Sequence, residues 1–146
     1  MLFADNGYPA LAAAAPATPE LYRASLQGRR ALVATDSGDT PVGFALTEQI
    51  GRVEWLRELS VHPDNGRLCI GGSLVEAVAE AARERGCDRI GLSTFRALPF
   101  NAPFYGRHGF TEVALDRTDP ALVDRFHAEV PSGVDPAERV LMVRSL

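Results

Sequence analysis

The chain has 146 residues, 46% of them apolar and 23% charged, with a formal net charge of −4, the composition expected of one soluble domain with one core. All 15 basic residues are arginine, which excludes a lysine Schiff base, pyridoxal chemistry and a phosphate-loop lysine. Two cysteines, Cys69 and Cys87, and three histidines, His62, His108 and His127, offer no metal-ligand spacing; the acidic balance argues against nucleic acid, and no apolar run approaches the ~20 residues of a membrane span.

Along the chain, the small-residue run from Ala12 to Ala15 lacks a basic start and is bounded by Pro9 and Pro16, so a secretory leader is not expected. Reduced thiols at Cys69 and Cys87 then fit a cytoplasmic protein. Thr18-Pro19-Glu20 has the chemistry of a helix start, predicting a short helix over 18–26 that ends near Gly28. Residues 30–35 and 42–46 read as antiparallel strands, with the turn residues of 36–41 between them.

A third strand is predicted over 53–61. Leu56 lies on even positions whereas Leu59 and Val61 lie on odd ones, so either a β-bulge near Arg57-Glu58 or burial on both faces is required. An amphipathic helix over 73–85 carries Leu74, Val78, Ala81 and Ala82 on one side, with Gly86 as its stop. The apolar strand over 89–95 then completes a strand-helix-strand unit with parallel strands. Beyond it come 111–115, a polar helix over 120–129, a loop, and a closing strand over 139–144.

Two segments carry candidate chemistry. The first, from Val61 through Gly66, Arg67, Leu68, Cys69, Ile70, Gly71 and Gly72 to Ser73, lies between a strand and a helix, where free backbone N–H groups and the helix dipole favour an anion such as a pyrophosphate. It lacks the phosphate-loop lysine and the dinucleotide glycine pattern, and the alternative is a glycine turn that lets helix and strand pack closely. The second is Asn101-Ala102-Pro103-Phe104-Tyr105-Gly106-Arg107-His108-Gly109-Phe110. If helical, Asn101 and Tyr105 share one face; read structurally, Asn101 is a helix cap, the rings are core and Gly109 is a stop.

Together these segments resemble the GNAT N-acetyltransferase superfamily. The matching pieces are Leu59-Ser60-Val61-His62-Pro63, then Gly66-Arg67-Leu68-Cys69-Ile70-Gly71, a helix, a strand, Asn101 with Tyr105, and Gly109-Phe110, spanning about 30–113 in the family's order. The departures are the exchanged Gly66-Arg67 order and Cys69 at the place of the family's middle glycine. The resemblance implies an α/β (α+β) fold in one domain: a mixed, mostly antiparallel sheet with one splayed parallel pair and helices on both faces. The family's first strand is expected to be missing, leaving an edge that a second copy could cover.

The resemblance also implies acetyl-CoA as cosubstrate and no metal, with a small-molecule or peptide amine as acceptor. The backbone of Leu59, Ser60 and Val61 would hold the pantetheine, and N–H groups of Arg67, Leu68, Cys69, Ile70, Gly71, Gly72 and Ser73 the pyrophosphate. Asn101 would fix cofactor or helix geometry. Glu58, or else Glu54, would take the amine's proton, the N–H of Leu59 would meet the oxyanion, and Tyr105 would protonate the departing thiolate. A non-catalytic CoA-binding regulatory module, favoured by Cys69 and the missing strand, is the alternative, and a generic nucleotide-binding protein the third reading. The residues name no particular acceptor.

Overall fold

The computed structural model describes residues 29–35, 38, 40–62, 70–99 and 101–146. They form strands β1 (Arg30–Thr35), β2 (Pro41–Ile50) and β3 (Val53–Val61), helix α1 (Ile70–Glu84), β4 (Arg89–Phe95), α2 (Ala102–Arg107), β5 (Thr111–Glu112), α3 (Pro120–Ala128) and β6 (Arg139–Ser145). One sheet contains all six strands in the order β1-β2-β3-β4-β6-β5. Every neighbouring pair is antiparallel except β3 and β4. The expected helix over 18–26 and the question of a missing first strand fall outside the described residues.

Each face of the sheet has its own core. On the first, α1 turns Leu74, Val75, Val78, Ala79 and Ala82 inward, and the first four pack with Ala45, Leu56, Ile90, Leu92 and Tyr105. Of the stripe expected from helical spacing, Leu74, Val78 and Ala82 are buried, whereas Ala81 is only half-buried and Val75 and Ala79 take the inner positions; Gly86, at φ 80°, supplies the left-handed residue that ends the helix. On the second face α3 lays Leu122 and Phe126 on Val53, Trp55, Leu141 and Val143. Asp119 caps α3 by accepting from the Ala121 N–H at 2.9 Å, with Pro120 in the first turn.

The parity conflict in β3 is resolved by a bulge. Leu46 pairs with Glu58 and Thr47 with Leu56, so Arg57 is the extra residue. Burial on both faces holds as well, but only for the first half: Val53, Glu54, Trp55 and Leu56 are all buried, whereas Arg57 and Glu58 are exposed.

Glu54 is fully buried, and its partners explain how a charge survives there. Arg85, just past the end of α1, brings Nη2 to 2.6 Å from Oε2, and Arg30 of β1 stands 3.6 Å from Oε1. The Cys87 thiol donates to Oε2 at 3.8 Å, and burial, reinforced by the Glu54 charge, pushes its pKa up. Removing one partner of a buried pair strands the other. Arg85→Met should therefore lower stability in urea unfolding by about 3 kcal/mol, and adding Glu54→Met should recover most of the loss. A silent Arg85→Met would show that Arg30 alone satisfies the carboxylate.

Candidate active site

The parallel pairing of β3 and β4 stops early. Val53, Glu54 and Trp55 face Arg89, Ile90 and Gly91, and no pair follows. Both strands continue, held on their outer sides: β3 by β2 as far as Val61, and β4 by β6 as far as Phe95. The two inner edges diverge from a vertex at Trp55 and Gly91, where the indole lies 3.1 Å from the point a Gly91 Cβ would occupy.

The backbone of β3 is oriented toward this gap. The His62 N–H donates to Val42 O at 2.7 Å, so His62 and, by alternation, Ser60 address β2. Leu59 and Val61 therefore turn their N–H and C=O groups into the gap.

At the open end three elements converge. A Cβ on Gly71 would lie 3.2 Å from Phe104 and 3.8 Å from Val61, and one on Gly72 would lie 2.7 Å from the His108 ring. The two segments singled out by sequence thus touch. Helix α1 starts at Ile70 rather than Ser73, so Ile70, Gly71 and Gly72, expected in the loop, form its first turn. Close approach to Phe104 of α2 and to His108 just beyond it explains glycine at these positions, a contact with the following helix rather than the helix-strand packing of the alternative reading. Arg67, Leu68 and Cys69 lie outside the described residues.

Asn101 precedes α2, and its C=O accepts from the Tyr105 N–H at 3.0 Å. Its side chain makes no capping bond. The amide Nδ2 is buried without a hydrogen-bond partner, the condition of a donor that a bound group would satisfy. Tyr105 is 8% exposed, set edge-on to Phe104 and Phe110 at centroid distances of 5.1 and 5.5 Å. Burial raises its pKa, so the phenol keeps its proton at neutral pH. Gly109, at φ 89°, terminates this turn as expected.

The bulge sends Glu58 to the face opposite α1, because Leu59 and Val61 pack on the α1 side. Desolvation raises the Glu58 pKa, and the Arg57 charge offsets part of the rise. Glu54, the second candidate base, belongs instead to the paired, closed end of β3 and to the ion pairs described above.

Glu129, beyond α3, has no role in the sequence reading, yet its carboxylate accepts from the Trp55 indole N–H at 2.5 Å, directly over the vertex. Burial raises its pKa against the opposing effects of the Trp55 hydrogen bond and of Arg125, Arg139 and Arg57. Arg125 pairs with Glu48. Arg139 donates to the Ser93 hydroxyl and carbonyl at 3.1 and 2.9 Å and lies over the Phe95 ring. Among the described residues no three His, Cys, Asp or Glu side chains are grouped to hold a metal, and no helix is long and apolar enough to cross a membrane.

A mixed sheet that opens between its one parallel pair, with a helix N-terminus and a short aromatic helix at the opening, has the architecture of GNAT acetyltransferases. The sequence profile of the acetyltransferase (GNAT) domain matches residues 27–112, more than half of the chain, and the protein belongs to that family. Solved structures with this fold include the PaiA N-acetyltransferase of Thermoplasma acidophilum in complex with coenzyme A, with a TM-score of 0.62 and 19% identity over 87% of this chain and 67% of that one. Nourseothricin acetyltransferase gives 0.59 and 26% identity over 81% and 65%. The ribosomal-protein-S18-alanine N-acetyltransferase of Escherichia coli gives 0.65 and 17% over 91% and 79%. The chain thus spans about two thirds of the first two.

Proposed function

We propose that the protein transfers the acetyl group of acetyl-CoA to a primary amine. The observation that carries this reading is the gap beyond Trp55 and Gly91, with the Leu59 and Val61 backbone groups turned into it and α1 and α2 meeting at its mouth. Leu59 and Val61 would hold the pantetheine arm in the manner of a missing strand. The N–H groups at the start of α1 suit the pyrophosphate, and the unpartnered Asn101 amide is a further donor.

When bound, the cosubstrate supplies an acetyl thioester. The Leu59 N–H, aimed into the gap, would donate to its carbonyl oxygen. Glu58 accepts the proton that the amine must lose, since a free amine with a pKa near 10 is largely ammonium at neutral pH. The Tyr105 hydroxyl delivers a proton to the departing sulfur.

Thermal unfolding with ligands tests the cosubstrate. At 100 times Kd, acetyl-CoA should stabilise the fold by about 2.7 kcal/mol, roughly 5–10 °C for a chain of this size, whereas ATP and NAD should not. No shift at millimolar acetyl-CoA would remove the assignment, and a shift without transfer to any amine would leave a CoA-binding module.

A further inference from the structure

The bulge does something that an unbroken strand cannot. Successive side chains of a strand alternate between faces, so Arg57 and Glu58 would ordinarily part. Here both stand against Leu46, between Leu56 and Leu59, which pack on the α1 side. The Arg57 guanidinium is within electrostatic reach of Glu58 on its own strand and of Glu129 over the vertex.

The neighbouring cations already have partners: Arg125 pairs with Glu48 and, at 3.9 Å, with Glu129, and Arg139 with Ser93 and the Phe95 ring. Arg57 is exposed, and among the described residues it makes no hydrogen bond or ion pair. A fork of guanidinium donors thus stands next to the carboxylate assigned to the amine, at the start of the gap. An arginine in that position matches a planar carboxylate with two parallel hydrogen bonds. It also repels an acceptor whose only charge is positive.

We propose that Arg57 determines acceptor specificity by holding a carboxylate carried by the acceptor close to its amino group, so that the acceptor class is the small α-amino acids and their near relatives. The inference rests on the acetyl-transfer reading. In it, Glu58 and Arg57 read the two ends of a zwitterion, and the bulge sets their spacing.

The test is steady-state transfer from acetyl-CoA to amino acids, each beside the amine that differs from it only by lacking the carboxylate, with wild type, Arg57→Gln and Arg57→Lys. The amino acid of a productive pair should show a KM at least tenfold lower than its amine. Arg57→Gln should raise that KM about 10- to 100-fold, lower the KM of the amine, from which it removes a repelling charge, and leave the KM of acetyl-CoA unchanged, and Arg57→Lys should restore part of the preference. Equal or better use of the amines, or a preference that survives Arg57→Gln, overturns the proposal while transfer itself stands. Transfer to neither member of any pair, with or without an acetyl-CoA thermal shift, removes the transfer reading and this inference with it.

Discussion

Replacing Glu58 by glutamine is expected to lower kcat/KM by about 10²- to 10⁴-fold at neutral pH, the usual contribution of a positioned proton acceptor. Glutamine keeps the size and the polar end of the side chain and removes only its capacity to take a proton. Glu58 is an exposed residue of β3 beside the bulge, so the variant should unfold at the wild-type urea concentration, and a loss of rate can be assigned to chemistry.

The pH dependence sharpens the expectation. The active form of Glu58 is the carboxylate, so activity rises as pH passes upward through its pKa. Desolvation lifts that pKa above the ordinary carboxylate value, and Arg57 only partly opposes it, which displaces the acid limb of the profile upward. Glu58→Gln should abolish this limb. The gap between variant and wild type should narrow toward pH 10, where the acceptor loses its own proton. A variant with full activity and an unchanged acid limb would remove Glu58 from the mechanism.

What could be read from the sequence was whatever local pattern determines. The bounds of β3 and β4 follow from apolar runs ended by turn residues, and the parity of Leu56 against Leu59 and Val61 narrowed β3 to a bulge or burial on both faces, between which pattern alone does not choose. Strand β2 runs on to Ile50 rather than stopping at Leu46, because polar Glu48 is satisfied by Arg29 and Arg125, partners that local spacing does not reveal. The helix start at Ile70 was hidden for the opposite reason. Glycine argues against helix on propensity, but at Gly71 and Gly72 the requirement to admit Phe104 and His108 prevails.

The same distinction runs through the site. Asn101 and Tyr105 were visible as a four-residue spacing, and Leu59 and Val61 as the end of a strand. Glu129 was not visible, since its role depends on an indole 74 residues away. Nor could the sequence tell Glu54 from Glu58. Both are acidic residues on one strand, and only the placement of Arg85 and Arg30 makes the first a buried ion-pair partner. Arg57 was within reach of sequence reasoning: once a bulge is inferred, its extra residue must join a neighbour on the same face.

Tyr105→Phe should reduce single-turnover acetyl transfer by about 10²- to 10⁴-fold while leaving acetyl-CoA affinity little changed. The phenylalanine keeps the ring that packs edge-on against Phe104 and Phe110, so the first-face core stays filled. What is lost is one proton donor. Because burial raises the Tyr105 pKa, the hydroxyl remains protonated across the working range, and its ionisation should add no basic limb near neutrality. A phenol serving only the core predicts a different outcome: about 1 kcal/mol of stability lost with its hydrogen bond, and turnover intact. Measuring a single turnover at saturating acetyl-CoA separates the two, since slow product release can mask a chemical defect in the steady state. With the chemical step isolated, an undiminished rate would assign Tyr105 to packing, and the sulfur's proton would have to come from solvent.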